Sequence, residues 1–122
     1  MKGVYAVFFE IDKKNVDIGA LGSVKFDSGT YVYIGSAMNG VEERVKRHYS
    51  EDKNNHWHID YFSQEASPVY SLAFQKDSDF ECELAQTVAE ENSPVPNFGA
   101  SDCNCESHLF RVGDKGILNA EL

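Results

Sequence analysis

Nine residues near the start of the chain, Gly3 to Ile11 (GVYAVFFEI), constrain its fold more than any other feature. They are aromatic and β-branched, apolar at odd and even positions alike, and they run into the polar DKKN. Such a segment reads as a central strand buried on both faces. Thr30 to Gly35 (TYVYIG) is a second strand. Its alternation puts Tyr31, Tyr33 and Gly35 on one face and Val32 and Ile34 on the other.

Between these strands, Asp17 to Gly22 carries two glycines and reads as an irregular connection. Ser23 to Phe26 is a candidate strand, and Asp27-Ser28-Gly29 has turn chemistry. Asn39-Gly40 can cap a helix over Val41 to Tyr49, with Val41, Val45 and Tyr49 as its buried stripe and Arg44 and His48 flanking that stripe on one side. His56 to Phe62 (HWHIDYF) reads as a short helix or turn packed by Trp57, and Pro68 to Gln75 as a third strand. Asp77 or Ser78 opens a second helix to about Glu91, with Phe80, Leu84 and Val88 inward. A glycine- and cysteine-rich loop leads to a last strand over Ser107 to Val112.

A chain of 122 residues fits one domain, 1–122, with one core, and no repeat or linker divides it. No apolar run reaches the roughly 18 to 20 residues of a membrane span. The N-terminus meets Glu10 and Asp12 where a secretory cleavage site would need small residues, so the expectation is a cytoplasmic protein without membrane contact. Three cysteines cannot all pair within the chain, and they read as reduced thiols or metal ligands.

Twenty acidic against eleven basic residues give a net charge of −9, a field that repels polyanions such as DNA. The bases are uneven, however. Arg44, Lys46 and Arg47, joined by His48, form a local basic patch on an acidic body.

Gly3-Val4-Tyr5 at the start of the first strand and Tyr33-Ile34-Gly35 at the end of the second resemble the paired motifs of the GIY-YIG endonuclease superfamily. Gly35-Ser36-Ala37, the Arg44 to His48 helix, HWHIDYF, Glu81 to Ala85 (ECELA) and Ser101 to Phe110 (SDCNCESHLF) are similar to a small single-domain archaeal and bacterial branch of it. The resemblance runs from Gly3 to Phe110. It implies an α/β fold of the α+β kind, a small central, mainly antiparallel sheet flanked by helices. It also implies a metal-dependent endonuclease that hydrolyses DNA phosphodiesters in repair or processing. One departure is that 27 residues separate Tyr5 from Tyr33, which demands an insertion over about 12–28 where a short hairpin is usual. The chain then ends in a tail over 113–122. A competing frame takes Gly29-Thr30-Tyr31 as the first motif, but both tyrosines would then share one strand.

The implied site comprises Tyr5, Tyr33, Arg44, His48 and Glu81, with Glu81 holding Mg²⁺ or Mn²⁺ and the Arg44 to His48 patch meeting DNA. A metal offsets charge on phosphoryl oxygens and acidifies water, and Mg²⁺ suits one carboxylate plus waters. The helical wheel prefers Glu81 to Glu83, because Glu81 lies near the inward stripe. Each residue also has a plainer role: Ser78-Asp79-Phe80-Glu81 is a capping box, Arg44 can pair with Glu42 or Glu43, His48 can be structural, and tyrosines are usually core.

Cys103-x-Cys105-x-x-His108, with Cys82 if the second helix passes alongside, offers four ligands suited to Zn²⁺, although C-x-C is tighter than the usual spacing and small buried thiols are common. His56, His58 and Asp60 do not align on one helical face, so loop-fixing hydrogen bonds suit them better than a metal. Three function classes follow: the endonuclease, acting alone or with a DNA-binding partner protein; a non-catalytic nucleic-acid or protein-binding module of the same fold; and a zinc- or thiol-based structural protein. Oligomeric state is not written in these patterns.

Overall fold

The structure is a computed structural model describing residues 1–50, 57–99 and 105–113. Its strands are β1 (Gly3–Ile11), β2 (Lys14–Asp17), β3 (Ser23–Phe26), β4 (Gly29–Ala37), β5 (Ser67–Phe74), β6 (Ser93–Pro94) and β7 (Leu109–Arg111). Its helices are α1 (Val41–Tyr49), α2 (His58–Ser63) and α3 (Asp79–Ala89). The sheet runs β5-β1-β4-β7-β6, and every neighbouring pair is antiparallel. This is the expected α+β architecture.

β1 occupies the interior of the sheet because both of its faces are apolar, and it divides the interior in two. Tyr5, Val7, Phe9 and Ile11 enter one cluster with Ile59, Phe62 and Phe98. Val4, Ala6 and Phe8 enter another with Leu84, Ala85 and Val88. The expectation of a single core is therefore corrected to one core on each face. Each fully buried phenylalanine contributes about 2 to 3 kcal/mol of transfer free energy, so Phe8 and Phe9 anchor opposite layers from adjacent positions.

β1 and β4 pair without interruption from Gly3↔Ala37 to Ile11↔Gly29. The two motif tyrosines thus stand on neighbouring strands, as the Tyr5 frame requires. The connection between them forms a two-stranded unit of β2 and β3 around a 3-10 turn at Gly19–Leu21. Val16, Ile18 and Phe26 from this excursion dock into the first core. β2 escaped the sequence reading because Val16 is its one buried residue.

Three details of α1 and α2 differ from expectation. Tyr49 is exposed while His48 is buried, so the inward face of α1 runs through Val41 and His48. Asn39 makes no cap; the Val41 N–H is satisfied by the Met1 carbonyl at 2.8 Å, and the N-terminal ammonium pairs with Glu42. Trp57 stays 43% exposed, its ring within 4.5 and 5.0 Å of the guanidinium groups of Arg44 and Arg47, and is not packed in the core. Ile59 and Phe62 supply the buried side of α2. Among the described residues, no helix is long and apolar enough to cross a membrane.

Candidate active site and an adjoining thiol cluster

The register places Tyr5 opposite Gly35 and Val7 opposite Tyr33, so the two tyrosines sit diagonally on one face with ring centres 6.3 Å apart. A Cβ on Gly35 would stand 2.6 Å from the Tyr5 hydroxyl and 3.1 Å from the Tyr33 ring. Only glycine lets both rings lie against β4 here. His48 descends from α1 onto the pair, 5.4 Å from the Tyr5 ring and 5.5 Å from that of Tyr33, and its Nε2 meets the Tyr5 hydroxyl at 2.8 Å.

This corner is dry. Tyr5 and His48 are each 1% exposed. Desolvation pushes the Tyr5 phenol far above its ordinary range, with the Arg44 charge and hydrogen bond pulling back only in part. Burial likewise raises Tyr33, and its neighbours Tyr5 and Glu81 add to the effect. Arg44 donates through Nη1 to the Ser36 carbonyl at 3.3 Å, which fixes its head beside Tyr5.

Glu81 comes from the opposite face, carried by the first turn of α3. Its charge acts on both tyrosines, and beside it β7 ends its ladder with β4 at Tyr33↔Leu109, the Ile34 N–H donating to the His108 carbonyl just beyond. Among the described residues no strand pairs with that edge of β4 past Ile34, and the two faces communicate through the gap. There Glu81 Oε2 lies 2.7 Å from His108 Nδ1. Burial raises the Glu81 carboxyl pKa, but hydrogen bonds from His108 and Ser36 and the charges of His108 and Arg44 outweigh it, so the net shift is downward and the group is ionised.

The capping-box role for Glu81 is overturned: Ser78 has helical backbone angles and makes no side-chain cap, because the carboxylate is drawn across to His108 instead. Glu83 is exposed, as the helical wheel requires. The structure thus brings Tyr5, Tyr33, Arg44, His48 and Glu81 to one rim of the sheet.

The basic patch is smaller in space than in sequence. Lys46 is exposed, but Arg47 is bound to the fully buried Asp60 at 2.9 Å, and His48 is turned inward. His48 therefore reaches Tyr5 and does not add to the exposed part of the patch. Asp60 also accepts the Trp57 N–H at 3.0 Å, and His58 Nδ1 accepts the Gly99 N–H at 2.9 Å. These are the loop-fixing bonds expected of the HWHIDYF block; His56 lies outside the described residues.

On the α3 side of the gap, Cys82, Cys105 and His108 form a cluster whose ligand atoms lie within 4.8 Å of one another. Cys82 and Cys105 are thiols. Cys103, the remaining member of the expected set, lies outside the described residues. Sequence reasoning did not find the link between this cluster and the tyrosine corner, namely the Glu81–His108 bond, for which no local spacing is a signal.

The family described as "Domain of unknown function DUF123" matches residues 4–122. No curated protein and no solved structure matches the chain.

Proposed function

The chain belongs to the DUF123 family, a domain of unknown function, and we propose that it is a metal-dependent endonuclease of the GIY-YIG kind its motifs resemble, hydrolysing phosphodiester bonds of DNA in repair or processing. The observation that supports this is the meeting of Tyr5, Tyr33, Arg44, His48 and Glu81 at one rim, drawn from four elements on both faces of the sheet. A buried and a half-buried phenol, an arginine and an ionised carboxylate at one point suit attack on a phosphodiester.

The raised phenol pKa rules out a resting phenolate, so Tyr5 can take a proton only while giving one away. His48 is placed for that exchange. With its own proton on Nδ1, its Nε2 accepts the Tyr5 hydrogen as the Tyr5 oxygen takes one from the attacking water. The hydroxide so formed attacks phosphorus, the bond to the leaving oxygen breaks, and that oxygen takes a proton from solvent. Arg44 offsets the charge gathering on the phosphoryl oxygens. Glu81 suits Mg²⁺ or Mn²⁺, since it is ionised and 18% exposed, and a single carboxylate is the usual protein share of such a site. When bound, that ion would withdraw charge from the phosphate and orient water.

The net charge of −9 favours a second reading, a non-catalytic module of the same fold, and fits DNA delivery by a partner protein better than unaided DNA capture. One assay separates the two. Plasmid, flapped and branched DNA are incubated with the protein in Mg²⁺ or Mn²⁺, beside Glu81→Ala and Arg44→Ala. Cleavage by the wild type alone supports the nuclease; equal survival of every substrate removes it. DNA affinity that does not fall as salt rises would remove the phosphate contacts as well.

A further inference from the structure

We propose that Cys82, Cys105 and His108 bind one Zn²⁺ ion, and that Glu81 is the carboxylate that orients the ligating histidine. The proposal stands apart from the hydrolytic reading, since it concerns the thiol side of the gap and needs no cleavage.

Three observations carry it. First, the two sulfurs and a His108 ring nitrogen lie within 4.8 Å of one another, though they come from α3 and from the lead into β7. Tetrahedral zinc with Zn–S bonds of about 2.3 Å sets its sulfurs roughly 3.8 Å apart, so contraction by about an ångström or less completes the geometry. Second, the set is chemically selective. Two thiolates and an imidazole suit Zn²⁺, whereas Mg²⁺ and Ca²⁺ take oxygen ligands.

Third, His108 is already held as zinc histidines are held. Its Nδ1 is engaged by Glu81 at 2.7 Å, which assigns Nε2 as the ligating nitrogen and gives the carboxylate–histidine–metal order. The ring is 4% exposed, so this orientation is built into the fold. Cys105 reaches toward α3 as well, its sulfur 3.9 Å from the Cys82 carbonyl. An ion bound here would tie the first turn of α3 to the entry of β7. It would thereby set the place of Glu81, which bonds to His108 of the thiol cluster and stands at the tyrosine rim.

The test uses the untagged full chain, purified under reducing conditions and then exposed to Zn²⁺ or Co²⁺ alone. Native mass spectrometry should show one zinc per chain, and Co²⁺ should give the ultraviolet thiolate-to-cobalt charge-transfer band. Added Zn²⁺ should raise the melting temperature of the chelator-treated protein by about 5 °C or more. Cys82→Ser and Cys105→Ser should each weaken zinc binding at least tenfold, while Glu83→Ala, exposed on the same helix, should bind as the wild type does. Should a cysteine variant fail to fold, the wild-type metal count and cobalt spectrum still decide. A wild type that takes up no zinc and gives no thiolate band overturns the proposal, and so does a non-reducing mass that shows a Cys82–Cys105 disulfide.

Discussion

The two faces of the sheet meet at one rim, yet they treat buried polar groups in opposite ways. On the α1 face, Tyr5 and Tyr33 lie among aromatic carbon, and desolvation drives both phenols upward and keeps them protonated. On the α3 face, Glu81 is also partly withdrawn from water, but His108, Ser36 and Arg44 more than compensate and keep it ionised. The contrast teaches that burial alone does not decide where a proton sits; the donors supplied alongside it do.

The largest effect that can break this comparison is on the charge itself. Glu81→Gln keeps the shape of the side chain and removes its charge, so cleavage should fall about a thousandfold or more with the fold retained, as read by single-turnover rates and circular dichroism. A variant that cleaves normally would leave the carboxylate a purely structural partner of His108.

The next effect tests the dry side. Asp60 is fully buried and joins α2 to Arg47, so Asp60→Ala removes the buried half of this ion pair together with its bond to the Trp57 N–H and should cost about 3 kcal/mol in urea denaturation. A loss below about 1 kcal/mol would mean that water reaches this face freely. Gly35→Ala follows, since the new methyl group meets the Tyr5 hydroxyl; about 2 kcal/mol of destabilisation is expected. Pairing it with Tyr5→Phe should recover part of the loss in a double-mutant cycle, and strict additivity would exclude that clash as the cause.

The smallest effect concerns His58. Burial holds its pKa below the ordinary 6.5, and its Nδ1 accepts the Gly99 N–H. A depressed folded pKa means that its stabilisation is present above 6.5 and is lost as pH falls through the lower folded value. His58→Asn retains an acceptor that does not titrate, so its stability should fall less steeply below about pH 6.5 than that of the wild type, by under about 1 kcal/mol. Parallel curves would show that the bond is not linked to protonation.

Much of the frame was legible in the residues. β1 and α1 run over the bounds read from sequence, and β5 and α3 end within a residue or two of theirs. β7 is shorter than expected, because Ser107 and His108 turn their hydrogen bonds to a local side-chain bridge and to Phe98. The turn of Glu81 away from the cap, the outward turn of Trp57 and the inward turn of His48 were not legible, because each was settled by a partner distant along the chain. His48 met Tyr5, Trp57 met two arginines, and Glu81 met His108.

Sequence by itself therefore determined the strand Gly3–Ile11, the Thr30 to Gly35 centre of the strand that the structure extends to Gly29–Ala37, the face shared by Tyr31, Tyr33 and Gly35, and the inward aim of Glu81 against Glu83. Alternation and helical period are local, and side-chain direction follows from them. Only the tertiary structure decided which side chains share a proton or a charge. The early end of β7 opens the edge of β4, and across that gap the charge of a carboxylate from one face acts on the phenols of the other.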